Sequence, residues 1–239
     1  MCRLEAVVFD MDGVLVDSEP IWRRVREEFA ADVGAVWTEE DQRATMGCNT
    51  AEWSRVMMER LRLREREGMD ETAVAREIIQ RMQSKYAVHL PEREGAIDAV
   101  HRAAAHYRVA LASGSPTPLA EHVLRLTGLD RVFEATMYGD DVARGKPAPD
   151  IYWAVLAKLG VRPQDAIGVE DSGNGIRSLK AAGMGIIAAP SPGYPLAPDL
   201  VAMADAQIQQ MTELSVELMQ RAFAGKAGTP AVAPGTRRR

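Results

Sequence analysis

An apolar run near the start of the chain ends abruptly in two carboxylates. Residues 6–9 are Ala, Val, Val and Phe, and Asp10, Asp12 and Gly13 follow before a second apolar run at 14–16. A continuous apolar run is typical of a strand buried on both faces of a parallel sheet. The acids then lie beyond its carboxyl end, where open α/β sheets bind ligands, and they repel each other unless a cation is bound. The alternative is an ordinary acidic turn, because Asp and Gly are common turn residues.

The composition narrows the class of protein and its partners. The 239 residues are 46% hydrophobic and 26% charged, which is ordinary for a globular chain with ample length for a core. A formal net charge of −5 gives no support for nucleic acid or an anionic membrane as a partner. No stretch reaches membrane-span length, and the first strand begins too early for a signal peptide. Cys2 and Cys48 form no disulfide framework, so we predict free thiols in a cytoplasmic protein, most simply a monomer.

Strand and helix patterns alternate along most of the chain, which predicts an α/β fold. Segments of helix length separate the strands, and this spacing favours right-handed βαβ units in a parallel sheet with helices on both faces. The predicted strands are residues 4–10, 108–112, 133–138, 166–169, 185–189 and 206–209.

Residues 18–90 differ in composition and in hydrophobic pattern from the rest of the chain. They are rich in Arg and Glu, with apolar residues at helical spacing, which predicts an insert of about four helices above the carboxyl edge of the sheet. Ser18 is a good helix N-cap and marks the predicted start of the first of them. The core then comprises residues 1–17 and 91–224, and the composition of residues 225–239 predicts a disordered tail.

Side chains that can bind a metal or a phosphate follow four of the predicted strands. If the strands are neighbours, one crevice holds four carboxylates, a hydroxyl and an ammonium group. Clustered carboxylates with few histidines suit Mg²⁺, the hydroxyl and ammonium groups can hold phosphoryl oxygens, and a carboxylate can attack phosphorus to form an aspartyl phosphate. The residues are Asp10 and Asp12 after the first strand, Ser113 after the second, Lys146 after the third, and Glu170 and Asp171 after the fourth.

Each of these residues also has an ordinary structural interpretation. Ser113 could cap the following helix, and Lys146 could be an exposed loop lysine. The acids Glu170 and Asp171 could complement a helix dipole. The ordered set, with each member at a strand end, favours the functional interpretation.

The four motifs closely resemble those of the haloacid dehalogenase-like (HAD) hydrolase superfamily, specifically its β-phosphoglucomutase-like branch of sugar-phosphate phosphatases and mutases. The resemblance covers roughly residues 4–210 and implies a Rossmann-like core with a mostly helical cap inserted after the first strand. The motifs are FDMDG at 9–13, ASGS at 112–115, GKPAPD at 145–150 and VEDS at 169–172.

The resemblance implies a role for each matched residue. Asp10 would be the nucleophile that takes the phosphoryl group. Asp12 would protonate the leaving oxygen and then deprotonate the attacking water. The implied phosphate-binding residues are Ser113, Gly114 and Lys146, and the implied Mg²⁺ ligands are Asp10, Asp12 (through its backbone carbonyl), Glu170 and Asp171.

Within the superfamily, the residues favour a phosphatase of a small phosphorylated metabolite, such as a sugar phosphate. Asp12 argues against a dehalogenase, and the cap lysine of a phosphonatase is matched only by Lys85, late in the insert. Mutases of this branch carry a histidine, a lysine and an arginine where Trp22, Met46 and Thr50 stand here, so the cap lacks a matched cation for a second phosphate. A phosphohexomutase stays open as the alternative, and a non-catalytic phospho-ligand binding module is more remote because no motif is damaged. The same three residues are the candidate substrate contacts of the cap, with ordinary packing as the alternative.

Overall fold

Parallel strands form a single sheet at the centre of the protein. The computed structural model describes residues 3–46, 48–65, 69–191 and 193–226. The strands are β1 (Ala6–Phe9), β2 (Arg108–Ala112), β3 (Ala135–Met137), β4 (Ala166–Glu170), β5 (Gly185–Ala188) and β6 (Ala206–Gln207). Their order is β3-β2-β1-β4-β5-β6, and every neighbouring pair is parallel. This topology confirms the predicted α/β fold.

Helices connect the strands and cover both faces of the sheet. The α-helices are α1 (Glu19–Asp32), α2 (Glu39–Thr45), α3 (Thr50–Arg60), α4 (Glu71–Val88), α5 (Ala96–Ala104), α6 (Thr117–Thr127), α7 (Asp150–Leu159), α8 (Gly173–Ala182), α9 (Pro198–Val201) and α10 (Val216–Lys226). Short 3₁₀ turns lie at Leu63–Glu65, Leu129–Arg131, Gly139–Asp141, Pro163–Asp165 and Met211–Glu213. In the described part of the chain, no helix is both long and apolar enough to cross a membrane.

The position of β1 at the centre of the sheet explains why its sequence is continuously apolar. All four of its residues are fully buried. Val7 and Phe9 pack into one apolar cluster with α5, α6 and α10, whereas Ala6 and Val8 pack into a second cluster with α7 and α8. Because successive side chains of a strand point to opposite faces, a strand covered on both faces needs apolar residues at every position.

Four helices, α1–α4, lie between β1 and α5 in the chain and are called the cap below. They pack on one another through the pairs α1–α4, α2–α3 and α3–α4. Capping boxes begin two of them, Thr38 with Asp41 at α2 and Asn49 with Glu52 at α3, while Asp70 caps α4. These caps satisfy backbone N–H groups that the first turn of a helix leaves without partners.

Hydrogen bonds join the cap to the carboxyl edge of the sheet. Asn174 Nδ2, in the first turn of α8, donates to the carbonyl oxygen of Met46 at 3.2 Å. Gln83 Nε2 of α4 donates to the carbonyl oxygen of Pro118 at 3.1 Å. The cap therefore contacts the same side of the sheet that carries the predicted site residues.

The structure differs from the prediction in two details, the role of Ser18 at the start of α1 and the end of the last helix. Ser18 does precede α1, but its side chain makes no capping hydrogen bond and donates instead to Asp12 Oδ1. The last helix, α10, runs to Lys226, so residues 225 and 226 are helical although the tail was predicted to begin at 225. The rest of the predicted tail, 227–239, lies outside the described residues.

Candidate active site

The predicted acids of β1 and β4 lie together at the carboxyl edge of the sheet. The register pairs Phe9 of β1 with Leu111 of β2 on one side and Val169 of β4 on the other. Asp10, the first residue after β1, is therefore level with Glu170 at the end of β4. The central strand and its neighbours thus bring their polar side chains to one crevice, as open α/β sheets do.

Lys146 enters this crevice from the loop before α7 and is buried there. Its Nζ lies 2.8 Å from Asp10 Oδ1, 2.6 Å from Glu170 Oε1 and 3.2 Å from the carbonyl oxygen of Ala112. Burial acts to lower the pKa of this ammonium, but the Asp10 and Glu170 carboxylates outweigh burial and raise it. Lys146 is therefore charged at neutral pH and compensates two buried acids.

The surroundings of Asp10 raise its pKa to about 8. Loss of solvent is the largest cause, and the neighbouring carboxylates of Glu170 and Asp12 add to it, while the Lys146 ammonium opposes the rise. A further positive charge beside this carboxylate would favour its ionised form, which a nucleophile needs.

Asp10, Glu170 and Asp171 form a buried group of three carboxylates. One oxygen atom of each lies within 4.8 Å of the others. Burial, followed by the charges of Glu170 and Asp10, raises the pKa of Asp171 well above its usual value. Oxygen ligands that are buried and repel one another suit a hard cation such as Mg²⁺, so these residues fit the predicted metal.

Gly13 leaves the space that Asp171 occupies. Its φ angle is +73°, and a Cβ atom at this position would lie 1.8 Å from Asp171 Oδ2. The carbonyl oxygen of Gly13 accepts a hydrogen bond from Arg93, which also donates to the carbonyl oxygen of Ala189 at 2.7 Å. The turn after β1 thus needs glycine both for its backbone conformation and for the approach of a carboxylate.

Glu170 is fixed through both of its oxygens. Oε1 accepts from Lys146 and from the Tyr152 hydroxyl at 2.7 Å. Oε2 accepts from the backbone N–H groups of Asp171 at 3.1 Å and Ser172 at 3.3 Å. Hydrogen bonds of this kind hold a carboxylate in one orientation, so Glu170 positions Lys146 and contributes to the acidic group.

The Asp12 carboxylate has a different set of partners. Ser18 Oγ donates to its Oδ1 at 2.5 Å, and Trp22 Nε1 donates to the same oxygen at 3.2 Å. Ser115 Oγ donates to Oδ2 at 2.6 Å. Sequence reasoning did not assign Ser18 or Ser115 to the site, although Ser115 stands in the same strand-end turn as Ser113.

A pocket lies between the cap and the sheet edge. Its lining includes Asp10, Asp12, Gly114, Lys146 and Asp171 from the core side, and Glu19, Trp22, Arg26, Met46 and Trp53 from the cap. Most of the sequence-predicted site residues therefore face one shared space.

Of the three predicted cap contacts, Trp22 and Met46 line this pocket, whereas Thr50 is not among the residues that line it. Thr50 Oγ1 donates to Asp140 Oδ1 at 2.5 Å. The first residue of α3 thus contacts the 3₁₀ turn Gly139–Asp141 and joins the cap to the core, while its contact with a substrate stays a prediction.

Ser113 is not among the residues that line the pocket. It is fully buried, and its Oγ accepts the Ser115 N–H at 3.1 Å. The alternative role as a cap of α6 is not seen, because Pro116 is the N-cap residue of that helix. Gly114, Ser115 and Pro116, which follow Ser113 in the chain, line the pocket.

Sequence reasoning missed two charged residues of α1, Glu19 and Arg26. The Arg26 guanidinium carbon lies 4.7 Å from the ring centroid of Trp22 and 5.9 Å from that of Trp53. Burial lowers the pKa of Arg26 to about 10, so it is charged at neutral pH. The sequence gives little sign of this because α1 is rich in Arg and Glu, and its neighbour Arg24 is exposed.

Known proteins have sequences similar to this chain over most of its length. The family model of haloacid dehalogenase-like hydrolases matches residues 4–183. A phosphorylated carbohydrates phosphatase of Thermotoga maritima is 33% identical over 182 residues, which cover 76% of this chain and 82% of that protein. Hexitol phosphatase B of Escherichia coli strain K12 is 31% identical over 221 residues, which cover 90% of this chain and 96% of that protein.

A solved structure shares the architecture as well. A variant of CbbY from Rhodobacter sphaeroides, in complex with xylulose-(1,5)bisphosphate, has a TM-score of 0.76 and 28% sequence identity to this chain. The match covers 91% of this chain and 99% of the other. Since the family model spans well over half of the residues, the chain belongs to the haloacid dehalogenase-like hydrolases.

Proposed function

We propose that this protein is a Mg²⁺-dependent phosphatase that hydrolyses a small phosphorylated carbohydrate through an aspartyl phosphate. The observation that carries the proposal is the different environment of two neighbouring aspartates. Asp10 lies in a buried acidic group beside Lys146, whereas hydroxyl and indole donors hold Asp12. The similarity to phosphatases of phosphorylated carbohydrates and hexitols supports the substrate class.

Asp10 is the proposed nucleophile. One of its carboxylate oxygens attacks phosphorus, a new bond forms between that oxygen and phosphorus, and the bond from phosphorus to the leaving oxygen breaks. Lys146, 2.8 Å from Asp10 Oδ1, places positive charge where the transferred group arrives.

Asp12 is the proposed acid and base. It donates a proton to the departing oxygen and later takes a proton from the water that attacks the aspartyl phosphate. In that second step the bond from phosphorus to the Asp10 oxygen breaks, which releases phosphate and restores the Asp10 carboxylate. Its three hydrogen-bond donors keep the carboxyl group in one position through both steps. This division of labour explains why two acids so close in the chain have separate partners.

Ser113, Gly114 and Lys146 are the proposed phosphate-binding residues. The Ser113 hydroxyl accepts a hydrogen bond from the backbone and can donate its own hydrogen to a phosphoryl oxygen. Gly114 lines the pocket in the same turn, and Lys146 supplies the ammonium group. Together they would offset phosphoryl charge at the edge of β2 and β1.

The proposed Mg²⁺ site uses the buried acidic group. Asp10, Asp171 and the backbone carbonyl of Asp12 would hold the ion, with Glu170 binding it directly or supporting the ligands. When bound, Mg²⁺ would supply positive charge that offsets the negative charge of the phosphoryl oxygens. Gly13 keeps Asp171 close enough to Asp10 for both to reach one ion.

The first experiment measures phosphate release from a panel of phosphomonoesters, including p-nitrophenyl phosphate, with and without Mg²⁺. Asp10→Asn removes the nucleophile and is expected to lower kcat by about 10³-fold or more. Asp130→Asn, at an exposed aspartate, is the matched control and should retain wild-type activity. An Asp10→Asn variant with full activity, or a wild-type protein inactive on the whole panel, would refute the proposal.

A phosphohexomutase is the second candidate, and Arg26 is the observation that favours it. This buried arginine supplies the pocket with a cap cation, although none stands at the motif-matched positions. The two reactions differ in product. Conversion of glucose 1-phosphate to glucose 6-phosphate faster than release of phosphate would establish the mutase and contradict the phosphatase.

A further inference from the structure

Arg26 presents an unsatisfied donor inside the pocket. Its side chain is buried, at 4% exposed, and its Nε has no hydrogen-bond partner among the described residues. The guanidinium makes cation–π contacts with the rings of Trp22 and Trp53. These contacts do not satisfy the N–H group at Nε, which still needs an oxygen acceptor. Because a buried, charged donor without an acceptor is unfavourable, the site is suited to an oxygen atom of a bound molecule.

Glu19 lines the same pocket and feels the charge of Arg26. Burial raises the pKa of Glu19, and the Arg26 guanidinium opposes that rise. Gln42 Nε2 donates to Glu19 Oε2 at 3.0 Å. The pocket thus contains a guanidinium that only donates and, when ionised, a carboxylate that only accepts hydrogen bonds.

We propose that Arg26 and Glu19 together bind a hydroxyl group on the leaving group of the substrate. The hydroxyl oxygen accepts from Arg26, and the hydroxyl hydrogen is donated to Glu19. The inference rests on the proposed phosphatase function and defines its substrate class as a polyol or sugar phosphate with free hydroxyl groups. Arg26 and Glu19 are then specificity-determining residues at the cap end of the pocket.

The surrounding charges favour a neutral hydroxyl over a second phosphate at this position. Arg26 is the cap's only cation among the described residues that line the pocket, and Glu19 lines the pocket with it and interacts with its charge. Asp12 also contributes negative charge near both side chains. A phosphate dianion at Arg26 would therefore meet two carboxylates, whereas a hydroxyl group satisfies a donor and an acceptor at once.

The test compares two kinds of substrate with the same full-length protein and Mg²⁺. The polyhydroxylated probes are sorbitol 6-phosphate, fructose 1-phosphate and glycerol 3-phosphate, and p-nitrophenyl phosphate is the probe without hydroxyl groups. Fructose 1,6-bisphosphate is added as the probe with a second phosphate. We expect Arg26→Gln and Glu19→Gln each to lower kcat/KM for the best polyhydroxylated probe about tenfold more than for p-nitrophenyl phosphate. The double variant should lose little more than either single one, because one hydroxyl contacts both residues.

Arg24→Gln is the matched control, since Arg24 lies on the same helix with its side chain exposed and paired with Glu28. It should leave the ratio of the two kcat/KM values unchanged. Thermal unfolding of each variant checks folding, and Glu19→Gln carries the test if Arg26→Gln does not fold.

Three outcomes would overturn the inference while leaving phosphatase activity intact. They are an equal loss on both kinds of substrate, hydrolysis of p-nitrophenyl phosphate with no turnover of any polyhydroxylated probe, and a selective loss confined to fructose 1,6-bisphosphate. The last outcome would assign Arg26 to a second phosphate. Failure to release phosphate from any probe, p-nitrophenyl phosphate included, would instead refute the proposed function.

Discussion

Asp10 and Asp12 are separated by one residue, yet their partners differ in kind. Asp10 contacts an ammonium group and lies in a group of three buried carboxylates. Asp12 accepts from two hydroxyl groups and an indole N–H. Environment, and not residue type, decides which carboxylate is suited to attack and which to transfer a proton.

Removal of one donor from Asp12 tests this assignment. Ser115→Ala deletes the hydroxyl 2.6 Å from Asp12 Oδ2, so one oxygen of the carboxylate loses a partner. We expect kcat to fall about tenfold, equivalent to about 1.4 kcal/mol, with Mg²⁺ affinity unchanged. Steady-state kinetics and Mg²⁺ titration measure the two quantities.

Ser84→Ala is the control for this variant, because Ser84 is exposed on α4 and its hydroxyl bonds only locally, to the carbonyl oxygen of Gln80. A Ser115→Ala protein with wild-type kcat would show that Asp12 does not need this donor. A comparable loss of Mg²⁺ affinity would show that Ser115 acts on the metal site.

At the scale of the elements, the strands could be predicted because their burial leaves a simple sequence signal. β1 and β4 are buried at every residue, so the sequence of β1 is apolar throughout and that of β4 is apolar up to its last residue, Glu170. The acids that end those runs marked the site, since polar residues are costly within a fully covered sheet. The same logic placed Asp10, Glu170 and Asp171 at one edge.

The cap contacts were harder to predict, because a helix position does not reveal which neighbour a polar side chain will meet. Ser18 has the sequence of an N-cap but bonds Asp12 across the site. Thr50 bonds Asp140, 90 residues away in the chain. Arg26 lies two residues from the exposed Arg24 and yet is buried. In each case the partner comes from tertiary packing, which the local pattern does not encode.

The turn after β1 offers a test at this scale. Gly13→Ala would place a Cβ atom 1.8 Å from Asp171 Oδ2 at a φ of +73°. We expect displacement of Asp171, loss of most Mg²⁺-dependent phosphate release, and a lower free energy of unfolding by about 1–3 kcal/mol. Urea unfolding and phosphate-release assays measure both effects.

Gly34→Ala separates backbone strain from the collision. Gly34 has a φ of +67°, and a Cβ atom there meets nothing within 4 Å. This variant should lose some stability and keep its activity. If Gly13→Ala were as active as Gly34→Ala, the close approach of Gly13 and Asp171 would have no role in the site.

For the whole molecule, we propose that the core carries the phosphoryl transfer and that the cap recognises the rest of the substrate. The sheet edge supplies the acids and Lys146, while α1 and α3 bring Trp22, Arg26 and Trp53 over them. The cap arises from a long insertion between β1 and α5, so its side chains can vary without disturbing the sheet. Family membership therefore follows from the core motifs, whereas we propose that the substrate depends on the cap.

The central claim is that the phosphoryl group passes through Asp10. During turnover of p-nitrophenyl phosphate with Mg²⁺, rapid quenching followed by borohydride reduction converts an acyl phosphate to an alcohol that mass spectrometry can locate. The account predicts reduction of Asp10 to homoserine in the wild-type protein and none in Asp10→Asn. Phosphate release without any reduced residue at position 10, or reduction at another aspartate, would contradict it.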